Sequence, residues 1–199
     1  MAAPPSGASL ALLDKLVAAL GAKGLVSEAE IAERQAITDR ASPEIGARMV
    51  ARAWTDPEYY ALLMRDGKAA AEAAGASMAG APELGVLENT PKQHHLVVCT
   101  LCSCYPRALL GYPPGWYKSF AYRSRAVREP RAVLAEWGTQ LADDVEIRVV
   151  DSTADYRWMV LPMRPEGTEG WSVEKLMGIV TRDALVGVAV PRVSGTGLS

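Results

Sequence analysis

Apolar positions recur with helical spacing through the first third of the chain and give way to alternation and short β-branched runs after it. Between Ser9 and Leu20, the residues Leu10, Leu13, Leu16, Val17 and Leu20 share one face, the stripe of an amphipathic helix. Ser27 and Glu30 have the spacing of a capping box and open a second helix over 28–40. Ser42-Pro43 and Asp56-Pro57 each set a capping side chain before a proline, which starts a helix. They predict helices running toward Trp54 and Met64. The stretch "AAAEAAGASMAGAP" (Ala69–Pro82) breaks into glycine and proline and reads as a boundary.

From Gly85 onward the signals mix. "LVVC" (Leu96–Cys99), "VEIRVV" (Val145–Val150) and "YRWMVLP" (Tyr156–Pro162) read as strands, and "ALVGVAVP" (Ala184–Pro191) as a final strand ended by proline. "PRAVLAEWG" (Pro130–Gly138) begins with proline and stops at glycine, as a helix should, and Ser172 caps another over 173–181. The expected fold class is α+β. A helical arm over 1–80 precedes an α/β layered globular domain over 81–199 that carries a cysteine-rich loop. The arm is rich in alanine, poor in aromatic residues and buries little by itself. Its apolar stripe is expected to meet a partner subunit, with packing on its own domain as the competing reading. The tail "RVSGTGLS" is expected to fray.

Composition narrows the function classes. The chain has 199 residues, 49% of them hydrophobic and 22% charged, with a net charge of −2. No basic patch suggests a nucleic acid as partner. No apolar run approaches the ~20 residues of a membrane helix. The first residues lack a positive n-region and carry Asp14 and Lys15 early, so no signal peptide is read and a cytoplasmic location is expected.

All three cysteines lie in one stretch, "VVCTLCSCYPR" (Val97–Arg107), as Cys99, Cys102 and Cys104. An odd, clustered set is not an extracellular disulfide framework. Structural zinc wants four ligands, usually in two separated pairs, and the fourth would have to be His94 or His95. An iron–sulfur cluster wants four cysteines. A redox C-x-x-C leaves the third thiol unexplained, and three buried thiols packed as small hydrophobes fit poorly with Thr100 and Ser103 between them. The spacing offers a fifth reading. Cys102-Ser103-Cys104 is short enough for both thiolates to hold one ion while the backbone nitrogens of Ser103 and Cys104 face the same ion. Cys99 adds a third sulfur from the strand end. Three S and two N donors leave one octahedral position open, and deprotonated amide donors suit a trivalent ion such as cobalt or iron better than zinc.

This motif resembles the metal claw of the nitrile hydratase alpha subunit family and of its relative, the thiocyanate hydrolase gamma subunit. The resemblance extends over "ENTPKQHHLVVCTLCSC" (Glu88–Cys104), "WYKSFAYRSRAVREPRAVLAEWG" (Trp116–Gly138), "MVLPMRPEGTEGW" (Met159–Trp171) and "VTRDALVGVAVP" (Val180–Pro191), and covers roughly residues 8–191. It implies Cys99, Cys102, Ser103 and Cys104 as metal ligands, with Cys102 as a sulfinate and Cys104 as a sulfenate. It implies Co(III), since Thr100 is the choice associated with cobalt, with iron the less favoured ion. It implies a β-type partner subunit whose arginines hold the oxidised sulfurs, an activator protein that loads cobalt, and a small-molecule nitrile as substrate, hydrated to the amide. Catalysis would fall to Cys104, Cys102 and Ser103.

Two departures matter. Family members commonly carry tryptophan three residues past the claw; here it is Arg107, expected at the substrate pocket, where a fixed positive charge replaces an apolar wall. Thiocyanate hydrolase is similar to this chain at that point, so thiocyanate or a polar, heteroaromatic nitrile are the substrate classes in view. A guanidinium turned outward to a partner's carboxylate is the competing reading, and a non-catalytic metal-binding subunit the competing function. Upstream, "MAGAPELG" (Met78–Gly85) lacks a pocket glutamine of the family. His94 and His95 are expected as one core and one surface histidine, and Arg123 and Arg125 as a brace of the loop, a partner contact or a solvated face.

Overall fold

The computed structural model describes residues 6–193, which form two compact units. The expected fraying of the tail falls mostly on residues outside those described. The first unit runs to Arg40 and holds α1 (Gly7–Ala22) and α2 (Glu28–Arg40). The capping box forms as the spacing required. Glu30 accepts from the Ser27 backbone N–H at 2.7 Å, and the Glu30 N–H donates to the Ser27 hydroxyl at 3.2 Å. No residue of α1 is buried, and Leu10, Leu12, Leu13 and Leu16 are exposed.

The second unit begins at Ala41, not near residue 80. The reason lies in α3 (Pro43–Thr55), α4 (Pro57–Arg65) and α5 (Gly67–Ala73): Met49, Val50, Leu63 and Ala70 are fully buried in the same core as the strands. Asp56 caps α4 by accepting from the backbone N–H groups of Glu58 and Tyr59. Asp66 does the same for α5 through Ala69. Arg48 and Arg52 of α3 donate to the carbonyls of Ala74 and Ala73 at the end of α5, which satisfies acceptors the helix leaves open.

Strands β1 (Glu83–Glu88) and β4 (Tyr156–Leu161) form one parallel pair, and β2 (Gln93–Val98) and β3 (Glu146–Asp151) the other. The crossover from β2 to β3, which a parallel pair requires, contains the cysteine loop and then α6 (Arg107–Leu110), α7 (Gly115–Lys118), α8 (Phe120–Arg128) and α9 (Pro130–Glu136). The β2–β3 register sets Val98 opposite Asp151, so an acidic side chain stands where the loop leaves the sheet. Helix α10 (Val173–Met177), capped by Ser172, follows β4 and packs against α3.

The run over 184–191 is not a strand. Ala184–Val186 is a single 3₁₀ turn, and Gly187 takes φ 82°. A Cβ there would lie 1.9 Å from the His95 carbonyl oxygen. Ala184, Leu185, Val186 and Val188 are buried, so an apolar run of this length does not reveal its own backbone geometry. His94 and His95 are both buried, against the expectation for one of them. Asn89 reconciles them: its side chain bonds His94 Nδ1 at 3.1 Å and accepts from the His95 N–H at 2.8 Å, while His94 Nε2 lies 2.7 Å from the Gly187 carbonyl.

Candidate metal centre

The loop leaves β2 at Val98 and enters α6 at Arg107. Cys99 and Cys104 are buried and Cys102 is exposed, none of them in a disulfide. Cys99 Sγ lies 3.5 Å from Cys102 Sγ, which lies 3.2 Å from Cys104 Sγ. All three sulfurs fall within 4.8 Å of one another. The Cys102 N–H donates to Cys99 Sγ at 3.2 Å, and the backbone N–H groups of Ser103 and Cys104 face the Cys102 sulfur. Three soft sulfur donors therefore converge on one small volume.

The electrostatics differ from sulfur to sulfur. Hydrogen bonding from Cys104, then from Cys99 and the Ser103 amide, pulls the Cys102 thiol down to about 7. Burial, then the bond to Cys102, pushes Cys104 up to about 12, and the positive charge of Arg157 offsets part of that rise. Of the two, the exposed Cys102 gives up its proton first and Cys104 last. An ion bound to both would favour the deprotonated form of each.

The frame around the loop holds its main-chain acceptors. Tyr117 donates to the Cys104 carbonyl at 2.8 Å and Tyr122 to the Val97 carbonyl at 2.7 Å. Burial raises both phenols, so they remain donors. Rings pack edge to face behind the loop, Tyr105 on Tyr117 and Trp116 on Trp137. Asp151 accepts from the Thr100 N–H at 3.0 Å and from the Thr100 hydroxyl. Among the described residues, the buried side-chain polar atoms without a partner are Tyr105 Oη, Arg123 Nε and Arg157 Nη1. Tyr105 adjoins Cys104, Arg123 donates to the Thr100 carbonyl at 3.4 Å, and Arg157 lies near enough to Cys104 to influence its thiol. All three are donors.

Of the residues expected from the sequence, the sulfurs of Cys99, Cys102 and Cys104 come together, and Ser103 lies between the last two in the chain. Arg107 starts α6, is exposed, and lies over the Tyr112 ring at 5.9 Å, with no salt bridge to another described residue. Asp151, Tyr117 and Arg157 were not singled out from the sequence. An acidic residue ending a strand marked Asp151, but its place beside Thr100 depends on the β2–β3 register.

The family described as "Nitrile hydratase, alpha chain" matches residues 8–189. The chain belongs to this family. A low-molecular weight cobalt-containing nitrile hydratase subunit alpha of Rhodococcus rhodochrous is 51% identical over 170 residues, 85% of this chain and 82% of that one. A thiocyanate hydrolase subunit gamma of Thiobacillus thioparus is also 51% identical, over 75% of this chain and 66% of its own. Among solved structures, a double mutant of the Fe-type nitrile hydratase of Comamonas testosteroni Ni1 superimposes with a TM-score of 0.85 at 38% identity, over 98% of each chain. A thiocyanate hydrolase mutant gives 0.88 at 43% identity, over 97% of this chain and 94% of that one. In this chain Cys99, Cys102 and Cys104 form a thiol cluster that could hold a metal ion. The family also accounts for the α+β architecture.

Proposed function

We propose that this chain is the alpha-type subunit of a cobalt nitrile hydratase and works with a β-type subunit. The observation that carries the reading is the convergence of three sulfurs within 4.8 Å, with the Ser103 and Cys104 amides acting on the Cys102 thiol. That donor set suits a trivalent ion. Sulfur donors offset its charge, and amide nitrogens bind only an ion acidic enough to displace their protons. The ion would be held by Cys99, Cys102 and Cys104 and by the amide nitrogens of Ser103 and Cys104. When bound it supplies Lewis-acid polarisation of the nitrile, whose carbon is a poor electrophile by itself. Net hydration adds a water oxygen to that carbon and both water protons end on the amide nitrogen.

The chain's own contribution is positional. Tyr117, Tyr122 and Asp151 hold the loop's backbone, and Cys104 presents its sulfur from a buried site. As a sulfenate, Cys104 would place an oxygen nucleophile or general base beside the bound substrate, with Cys102 as sulfinate. Anionic oxygens there would meet unused donors on Arg123 and Arg157, besides arginines of the partner. The exposed leucines of α1 favour a partner-contact role for the N-terminal helices, and a cobalt-loading activator protein belongs to the same reading.

Arg107 favours a second reading of the substrate. An exposed guanidinium three residues past Cys104, with no carboxylate partner among the described residues, suits an anion or a polar, heteroaromatic nitrile. The thiocyanate hydrolase gamma function is therefore the alternative. The deciding experiment is an assay of the purified subunit complex against a nitrile and against thiocyanate, with metal analysis. Cobalt at one per chain and amide formation, lost in Cys104→Ala, are expected. Zinc in tetrahedral coordination would overturn the reading.

A further inference from the structure

Thr100 stands between Cys99 and Cys102 and is exposed. Yet none of its polar groups is left to solvent alone. Its N–H and its hydroxyl both donate to the Asp151 carboxylate, at the end of β3. Its carbonyl accepts from Arg123 Nη1, on α8, at 3.4 Å. An anion thus holds the amide side of the residue and a cation the carbonyl side, each delivered by an element outside the loop. Arg123 also keeps its Nε buried without an acceptor. Burial of an unpaired donor costs stability, and such a group in a native fold calls for an explanation.

We propose that Asp151 and Arg123 are positioning residues that close on Thr100 from opposite sides and hold the cysteine loop in its ligating shape before any metal arrives. Within the loop, the side-chain contacts are the Cys102 N–H on Cys99 Sγ and the two close sulfur pairs. Those bonds involve the ligands themselves, so they vanish or change when a metal takes the sulfurs. The Thr100 clamp uses no ligand atom and persists through loading. Pre-organisation of this kind removes the ordering cost from the binding step. The buried edge of Arg123 follows: the guanidinium is drawn under the loop to reach the Thr100 carbonyl. The purpose assigned to the clamp rests on the metal reading above; its existence does not.

Two measurements on the full-length metal-free chain test this, with thermal unfolding as the control for fold. In Arg123→Ala, the Thr100 and Cys102 amides are expected to exchange hydrogen about tenfold faster than in the parent, although Arg123 bonds to neither. Arg123→Lys keeps a donor and should recover part of the protection. Titration with Co²⁺, read by sulfur-to-cobalt charge-transfer absorption, should show about tenfold weaker binding in Asp151→Ala and in Arg123→Ala, at an unchanged melting temperature. Because both act through one residue, the double variant should lose less than the product of the two. Unchanged exchange in both single variants overturns the clamp whatever the metal does. Faster exchange with unaltered Co²⁺ affinity, or losses that merely track melting temperature, overturns its positioning role. A parent chain showing no charge-transfer band would strike the metal reading instead, and the exchange data would still decide whether the clamp holds the loop.

Discussion

Tyr117 donates its hydroxyl to the Cys104 carbonyl across 2.8 Å from a fully buried position, so a helix that begins after α6 fixes the last ligand of the loop. The bond joins two parts of the crossover that are otherwise free to shift relative to each other. Removing the hydroxyl leaves the Cys104 carbonyl with one acceptor bond fewer in a water-poor setting. Tyr117→Phe should therefore lower stability by about 1–2 kcal/mol, measured by urea unfolding. It should also loosen the loop, seen as faster exchange of the Tyr105 amide.

The three thiols should differ in reactivity. Cys102 is exposed and drawn down to about 7, whereas Cys99 and Cys104 are buried and Cys104 is pushed up to about 12. The thiolate is the nucleophile. In the metal-free chain at pH 7.5, iodoacetamide should label Cys102 first, with the other two following only on unfolding. Peptide mass spectrometry reads the order. Bound metal should protect all three.

The buried histidines set an acid limit on stability. Burial holds both His94 and His95 below the ordinary histidine value. The unfolded chain therefore takes up protons first as the pH falls. Stability is complete above the unfolded value near 6.5 and declines from there down toward the depressed folded values. Urea midpoints should fall between pH 7 and pH 5, and His94→Gln should flatten that slope while lowering the midpoint at pH 7. A midpoint constant over this range would contradict the burial.

Gly187 has φ 82°, and its α-carbon faces the His95 carbonyl so closely that a methyl group cannot be placed. Gly187→Ala should cost on the order of 3 kcal/mol, combining the positive-φ penalty with displacement of β2. Soluble yield and melting temperature check it.

Arg107→Trp, made in the subunit complex, should shift preference toward apolar nitriles and away from anionic or polar substrates by about tenfold in the ratio of kcat/KM values, equivalent to ~1.4 kcal/mol. An unchanged ratio would mean that Arg107 stands away from the substrate.

Local signals account for the parts of the fold that the residues announced. A polar residue followed by proline marks α3 and α4 because both act within one turn, although Asp56 caps α4 with its side chain and Ser42 makes no such bond on α3. The strands over 146–151 and 156–161 show as alternation or β-branching, and that over 93–98 only in its second half, from Leu96. Three short helices between the loop and α9 were missed: α6 and α7 are each a single turn, and α8, polar for much of its length, has no apolar stripe of its own. Strand β1 was missed as well, since its glycine breaks the alternation; a Cβ at Gly85 would meet the Trp158 ring at 2.3 Å.

By itself, the sequence determined the clustering of the proposed donors. Cys99, Cys102, Ser103 and Cys104 lie so close along the chain that few backbone paths keep their donors apart, and chemistry at short separation is legible from spacing. Tertiary structure alone decided what surrounds it. Asp151 reaches Thr100 through the pairing of residues more than fifty positions apart, Tyr117 meets Cys104 through a helix packed behind the loop, and the buried His94 meets the Gly187 carbonyl just after a 3₁₀ turn. The physical reason is that these contacts depend on register and on the path of a crossover, which many distant residues set together and no local pattern encodes.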